Sequence, residues 1–149
     1  AVREEGFNRL YREKLAVFQQ MRGNPFGYLR DGSYAYVRFA LENPTLYRLM
    51  FTPPPKLGVS DDPWSSETGS QIFNLFLTGL RCSQEEGFLR GMDLSRYSFM
   101  FWSTVHGAVS LTLQNREMDQ PAKWDATREA VDTLMEIIAA TRHDSLGTS

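Results

Sequence analysis

The chain has 149 residues, of which 42% are hydrophobic and 23% charged, a composition typical of a globular protein of one domain. Its 16 basic and 18 acidic side chains leave a net charge of −2, which provides no basic surface for nucleic acid or an anionic membrane. One cysteine and two histidines exclude an internal disulfide and are too few for a usual four-ligand zinc site. The lone cysteine, with no signal peptide and no apolar run of roughly 20 residues, predicts a cytoplasmic location.

Apolar residues recur at helical spacing through the first third of the chain and predict three helices. In residues 2–21 they fall at positions 7, 10, 11, 15, 17, 18 and 21, with charged residues on the opposite face. The run Gly23-Asn24-Pro25 predicts the end of this helix. A second helix follows in residues 25–44 and ends at Pro44, because proline disfavours the helical conformation of the residue before it. Residues 45–51 predict a short third helix of about two turns.

Residues 52–64 predict the one long loop, which carries three consecutive prolines that favour an extended path. We expect a surface connection within a single domain, mobile near residues 60–62. Helical periodicity resumes in residues 66–88, after a capping serine at 65 or 66, and again in 93–115 and 124–142, whereas 143–149 are expected to fray. No alternating strand pattern occurs, so the predicted fold class is all-α, a helical bundle of five long helices and one short helix.

The stretch FMFWSTVHGAVSL, residues 99–111, places a tryptophan and a histidine on one face of a predicted helix. Trp102 and His106 are about one helical turn apart. Catalysis at His106 would need an orienting acid, and no acidic residue lies between positions 94 and 116. A metal site would need further ligands at helical spacing, which are absent. We therefore predict no catalytic residue and no metal site, and the residues leave open whether His106 belongs to the core or to a pocket.

Two features of composition point beyond a simple core. Aromatic residues make up 13% of the chain, which predicts either a very well-filled core or a cavity walled with rings. The last two long helices carry apolar residues around more of their circumference than one core requires. We expect these two helices to form an interface between two copies of the chain, and the alternative is a helix sunk deeper into its own core.

Two stretches together resemble the C-terminal regulatory domain of one branch of the TetR family of bacterial transcription repressors. FWSTVHGAVSL is similar to the W-x-x-x-H-G signature of these domains. YVRFALENPTLYRLMF, residues 36–51, is similar to their block of an aromatic helix ending E-N-P followed by a short helix. The order and separation of the two stretches also fit, and the resemblance covers essentially the whole chain.

The resemblance implies that residues 1–149 form an effector-binding and dimerisation domain. It implies that the DNA-reading helix-turn-helix domain of the family is absent from this chain, which we take for a piece of something longer. A small hydrophobic or aromatic effector would release the full-length protein from DNA by shifting it between two states. The resemblance also implies a homodimer through the last two long helices and DNA contact only through the missing domain. Enzymatic activity, a cofactor and a membrane partner are not expected.

The candidate ligand-binding residues are ring, aliphatic and thioether side chains from several helices, with Tyr36 and His106 expected to orient the ligand. They are Phe18, Tyr36, Met50, Phe73, Phe76, Leu77, Phe101, Trp102 and His106. The candidate dimer-interface residues are Leu113, Val131, Leu134, Met135 and Ile138. We expect no basic side chain that would bind an anion in the pocket.

Two other classes of function stay open at this point. A helical dimerisation or interaction module with a filled core and no ligand has the same helices, although the aromatic excess speaks against it. A haem protein that uses His106 as an axial ligand is the third class, and it lacks a second internal ligand. Cys82 is expected to be a buried small apolar residue in all three classes.

Overall fold

A computed structural model describes residues 2–52 and 62–142 of the chain. It contains six α-helices: α1 (Val2–Gln20), α2 (Pro25–Glu42), α3 (Pro44–Phe51), α4 (Glu67–Glu85), α5 (Leu94–Gln114) and α6 (Gln120–Ala139). No strand occurs in these two ranges, and the predicted all-α fold with five long helices and one short helix is confirmed. The predictions of a mobile loop centre and a frayed tail concern residues 60–62 and 143–149, which, apart from residue 62, lie outside the described residues.

Side-chain caps explain where four of the helices begin. The side-chain oxygen of each cap accepts a hydrogen bond from the backbone N–H three residues later, at 2.9–3.1 Å. The capping residues are Asn24, Ser66, Asp93 and Asp119. In α6 the cap and Pro121 start the helix at Gln120 and not at 124 as predicted. The apolar periodicity begins later along the chain than these polar signals, so it placed the start of α6 too late.

α2 lies at the centre of the bundle and packs against each of the other five helices. Of its 18 residues, 11 are buried, so α2 is covered by neighbouring helices on more than one side. Around it, α1 packs on α3 and α4, and α5 packs on α4 and α6. α4 comes close to α2 at Gly79, where an added Cβ would lie 2.6 Å from the Tyr28 ring. α2 therefore provides one wall of any space that the other helices enclose.

The start of α1 is joined to α3 by polar contacts. Arg3 Nε donates a hydrogen bond to the main-chain oxygen of Met50 at 3.1 Å, and Met50 is fully buried. Arg9 of α1 donates to Asn43 Oδ1, between α2 and α3, at 3.2 Å. A displacement of α3 would therefore act directly on the first turns of α1.

α6 packs its apolar stripe against α2 and α5 of the same chain. The buried stripe includes Val131, Leu134, Met135 and Ile138, each at most 6% exposed. These four residues are among the five predicted for the dimer interface, and within the protomer they are covered by its own core. Leu113 of α5 is half-buried. The large apolar side chains that remain on the surface of these two helices include Leu111 and Ile137, which are 72% and 60% exposed.

Candidate ligand cavity and its polar wall

A small cavity lies between α1, α2, α4 and α5, beside the segment that precedes α4. Its lining is mostly aromatic and aliphatic and consists of Lys14, Tyr28, Leu29, Ser33, Tyr36, Trp64, Ile72, Phe73, Phe76, Phe101, Trp102 and Val105. The cavity volume is about 40 Å³, which suffices for a few water molecules. Pockets that hold drug-sized ligands measure roughly 300–1,000 Å³. The lining side chains therefore nearly fill the space they surround.

Half-buried rings form the side of the cavity nearest to solvent. Trp64 stacks on Phe73 with 5.7 Å between ring centroids and meets the ring of Trp102 edge-on at 5.5 Å. Phe76 packs against the buried Phe101 at 5.3 Å. Stacked and edge-to-face arrangements of this kind are the favourable ones for aromatic pairs. Since Trp64 lies outside any helix, no regular backbone holds this ring in place.

Five of the nine predicted ligand-binding residues line the cavity, namely Tyr36, Phe73, Phe76, Phe101 and Trp102. The structure places the other four elsewhere. Met50 is buried in α3, Phe18 lines a separate groove, and Leu77 packs on the core outside the lining. His106 lies behind the wall, against Tyr36. Helical periodicity assigned each of these residues to an inward face but did not say which space that face borders.

Four polar aromatic side chains, two in the cavity lining and two behind it, form a connected hydrogen-bond chain. Trp102 Nε1 donates to Tyr36 Oη at 3.3 Å, and the hydroxyls of Tyr36 and Tyr47 are 2.9 Å apart. His106 Nδ1 lies 3.2 Å from Tyr36 Oη and is also hydrogen-bonded to the Tyr47 hydroxyl. The donors of Trp102, Tyr36 and Tyr47 are all used if Tyr36 donates to Tyr47 and Tyr47 donates to His106 Nδ1. The chain links α2, α3 and α5 immediately behind the lining.

The direction of the hydrogen bond between Tyr47 and His106 depends on the protonation of the histidine. Nδ1 of His106 accepts the Tyr47 proton only when it carries no proton itself. Burial lowers the pKa of His106 from its ordinary value of 6.5, which favours the neutral imidazole. Burial also raises the pKa of the Tyr36 and Tyr47 hydroxyls, so both keep their protons at neutral pH. His106 therefore supports the cavity wall as a hydrogen-bond acceptor.

Lys14 of α1 lines the cavity, although it is absent from the predicted set. Only 7% of this residue is exposed. Its Nζ donates to the main-chain oxygen of Gly32 at 3.1 Å and lies 5.5 Å from the centroid of the Tyr28 ring. Burial lowers the pKa of Lys14 from 10.5 to about 8, and no carboxylate of the described residues lies within 4.0 Å of Nζ. Lys14 is therefore a basic side chain in the lining, where the sequence indicated no group that would bind an anion.

A signal for Lys14 is present in the sequence. Positions 7, 10, 14, 17 and 21 alternate in steps of three and four, which is the spacing of a buried helix face. Four of these positions are apolar and the remaining one is Lys14. A lysine in such a series points inward with its neighbours, and the prediction missed it because only apolar residues were assigned to that face.

Tyr28 separates the cavity from a groove on the surface, since it belongs to the lining of both. The groove has a volume of about 270 Å³ and includes Phe18 and Cys82. Cys82 is half-buried there and not buried as expected. Tyr28 is 2% exposed, and its hydroxyl has no hydrogen-bond partner in the part of the chain that the structure describes. A movement of this ring would connect the groove with the cavity.

Within residues 2–52 and 62–142, no group of three or more His, Cys, Asp or Glu side chains is arranged to hold a metal ion. Over the same ranges, none of the helices combines the length and the apolarity needed to cross a bilayer.

Comparison with known proteins places the chain in a family. The family described as "Tetracyclin repressor-like, C-terminal domain" matches residues 29–138, which is more than half of the chain. Searches of curated proteins and of solved structures found no match. The matched range runs from α2 to α6 and contains all four members of the hydrogen-bond chain, whereas Lys14 precedes it. Such domains are generally ligand-binding and dimerisation regions of transcription regulators, and the family is generally non-enzymatic. The chain belongs to the family of tetracycline-repressor-like C-terminal domains, in agreement with its resemblance to TetR-type regulators.

Proposed function

We propose that this domain senses a small hydrophobic or aromatic effector, that it forms a homodimer, and that effector binding releases the full-length regulator from DNA. The observation that carries the proposal is the ring-walled cavity with a few polar groups in its lining. In such a site the rings supply dispersion and desolvation, and the polar groups orient the ligand. The general role of the family as a ligand-binding and dimerisation region supports the same function.

The size of the cavity suggests the mechanism. Its volume of about 40 Å³ is well below the roughly 150 Å³ of an apolar cavity known to hold benzene. Even a one-ring ligand must therefore displace lining side chains, with the half-buried Trp64 and Phe73 the first candidates. A ligand that needs the expanded cavity binds the expanded state and not the closed one. This difference in affinity is what a ligand-driven switch requires.

The hydrogen-bond chain behind the cavity offers a connection from the ligand to α1. Tyr36 and Trp102 belong both to the lining and to the chain, and Tyr47 continues it into α3. α3 is joined to the start of α1 through the hydrogen bond from Arg3 to Met50. In the full-length regulator, α1 would follow the DNA-binding domain. Half-sites on DNA lie about one turn apart, roughly 34–36 Å. A small movement of α1 in each copy would therefore shift the two DNA-binding domains out of register with the two half-sites.

We propose that the exposed faces of α5 and α6 form the dimer interface, with contact residues other than those predicted in α6. The large apolar side chains exposed on these two helices are Phe99, Met100 and Leu111 of α5 and Ile137 of α6. Gly107 lies one turn from Leu111, and an added Cβ at this glycine would meet nothing within 4 Å. A close neighbour within the protomer therefore does not explain Gly107, whereas a helix of a second copy packed against this face would.

A dimerisation module without a ligand is the second candidate, and the small cavity volume favours it. Under this alternative the lining rings are a filled core, and the cavity stays closed whatever compound is present. The buried and unpaired Lys14 then has no role. The two candidates predict opposite results in a binding experiment.

Tryptophan fluorescence tests the proposal. Trp64 and Trp102 line the cavity and Trp124 does not, so a Trp124→Phe background reports on the cavity alone. We expect some members of a panel of one- and two-ring aromatic compounds to change this fluorescence in a saturable way. Phe73→Leu should weaken the binding about twofold to twelvefold, because one aromatic contact contributes roughly 0.5–1.5 kcal/mol. Phe26→Leu is the matched control, a half-buried phenylalanine outside the cavity, and should bind as the background does.

The outcome decides between the two candidates. If no compound changes the fluorescence, or if Phe73→Leu and Phe26→Leu bind equally well, the module without a ligand is the better account. If the compounds bind as expected, they should also weaken the binding of the full-length regulator to its DNA site in a gel-shift assay. Phe73→Leu should then require a higher concentration of compound for the same release.

A further inference from the structure

We infer that the effector carries a carboxylate that pairs with Lys14 inside the cavity, while an aromatic body packs against the lining rings. The inference rests on the proposed function, because it assumes that the cavity takes a ligand. It narrows the effector from any hydrophobic compound to the class of aromatic carboxylic acids.

The surroundings of Lys14 leave its charge without a counter-ion. The ammonium group has three N–H donors, and the structure provides one acceptor, the main-chain oxygen of Gly32 at 3.1 Å. The Tyr28 ring adds a second neutral contact at 5.5 Å. No ion pair involves Lys14 among the residues of the two described ranges. A buried cation in this state is unfavourable, and a methionine of similar length would fill the same space without the desolvation of a charge.

The position of Lys14 in the lining indicates where its counter-ion would come from. The residue is 7% exposed, so ions on the outer surface cannot reach its charge without entering the protein. The cavity is the space next to it that a ligand could occupy. An anion that enters the cavity would supply the missing partner and use the free N–H donors in charge-assisted hydrogen bonds.

The rest of the lining restricts the kind of anion. Lys14 is the only charged side chain among the described residues of the lining. A group with a single negative charge therefore matches it, whereas a doubly charged phosphate would leave one negative charge unpaired inside the cavity. The hydroxyl of Ser33 is bonded to the main-chain oxygen of Leu29 at 2.6 Å, and the hydroxyl of Tyr28 has no partner and offers a further donor. The remaining surface is ring and aliphatic, which suits a planar apolar body. A carboxylate attached to an aromatic ring meets both requirements.

Matched pairs of compounds test the inference. 2-Naphthoate and 2-naphthamide, and likewise benzoate and benzamide, have nearly the same shape but differ in charge. Their dissociation constants are measured by fluorescence in the Trp124→Phe background and by titration calorimetry. We expect each acid to bind at least tenfold more tightly than its amide. The preference should persist in 0.5 M NaCl, because a buried pair is screened less than a surface pair.

Two variants of Lys14 and one control variant show whether the preference for the acid depends on Lys14. Lys14→Met and Lys14→Gln should both lose the preference for the acid while still binding the amide. Arg12→Met removes a cation from the same helix, but its side chain is 69% exposed, so the preference should stay unchanged. Circular dichroism and thermal unfolding of each variant show that the fold is kept, and the Gln variant retains a polar group if the Met variant changes the packing.

The results separate a failure of the inference from a failure of the proposed function. If the amides bind in the cavity, as shown by their sensitivity to Phe73→Leu, and the acids bind no more tightly, the inference fails and the proposed function stands. If the preference survives in both Lys14 variants, or disappears in Arg12→Met, the acid binds elsewhere and the inference also fails. If neither acids nor amides bind, both are overturned.

Discussion

A single buried lysine makes the stability of this domain depend on its charge state. Nearly all of Lys14 is covered, and burial lowers its pKa from 10.5 to about 8. The difference between these two pKa values corresponds to roughly 3 kcal/mol by which folding disfavours the charged form. At pH 7 the lysine is charged in both the folded and the unfolded state, so the full effect destabilises the ligand-free protein.

The first prediction follows from this linkage. Between pH 8 and pH 10.5 the unfolded state binds more protons at Lys14 than the folded state does, so raising the pH favours folding. Urea unfolding of the wild type and of Lys14→Met should show this effect. The free energy of unfolding of the wild type, relative to the variant, should rise by about 2 kcal/mol from pH 7 to pH 9.5. Equal changes in both proteins would show that Lys14 is not a buried charge. Measurements stop at pH 9.5 because tyrosines ionise above it.

The second prediction concerns the acidic side of neutrality. Burial lowers the pKa of His106, so the unfolded state takes up a proton near pH 6.5 before the folded state does. Stability contributed by neutral His106 is therefore present above pH 6.5 and lost as the pH falls through the folded pKa. Between pH 7 and pH 5 the free energy of unfolding should fall less in His106→Gln than in the wild type, because the amide of glutamine does not titrate. A histidine ring that titrates at or above 6.5 by NMR would contradict a neutral His106 in the hydrogen-bond chain.

At the scale of single helices, α5 combines two faces with different roles. One face carries Trp102 and His106 toward α2 and α3, and the other presents Gly107 and Leu111 to the outside. The sequence identified the first pair by helical spacing, but the spacing alone did not show that Gly107 faces away from the protomer. An added Cβ at Gly107 would meet nothing within 4 Å, so its surroundings within the protomer are open.

The third prediction separates helix propensity from packing at Gly107. Alanine in place of a glycine within a helix stabilises the folded state by up to about 1 kcal/mol when the added methyl group meets no neighbour. Gly107→Ala should therefore raise the free energy of unfolding of the monomer by about this amount. If a second helix packs there, the same substitution should weaken dimerisation in analytical ultracentrifugation. A destabilised monomer would mean that an atom of the protomer already occupies this space.

The fourth prediction tests the proposed interface of α5 and α6. Leu111→Arg and Ile137→Arg place a charge on apolar positions that are exposed in the protomer, so each variant should fold normally. A buried and unpaired charge at an interface is costly, and both variants should shift the protein from dimer to monomer. Gln71→Arg, at an exposed position of α4, is the control and should leave the dimer intact. A dimer that tolerates both arginines would place the interface on another face.

At the scale of the whole molecule, the sequence predicted the number and order of the helices and five of the twelve residues that line the cavity. Apolar periodicity sufficed for the helices because every helix buries a stripe against α2 or its neighbours. It did not place Trp64, which lies outside any helix and is held by ring contacts from residues distant in sequence. It predicted that Val131 and Ile138 lie on an apolar face, but it cannot say whether that face packs against the same chain or a second copy. Both residues are buried within the protomer. Lys14 was missed because a charged residue was assumed to face solvent.

The central claim is that the nearly filled cavity opens around an aromatic ligand. A crystal structure of the domain with the tightest-binding compound of the aromatic panel tests this most directly. We expect ligand density between Trp64, Phe73 and Trp102, with a cavity volume well above the present value of about 40 Å³. Density confined to the outer surface, around an unchanged and closed cavity, would contradict it and leave a dimerisation module.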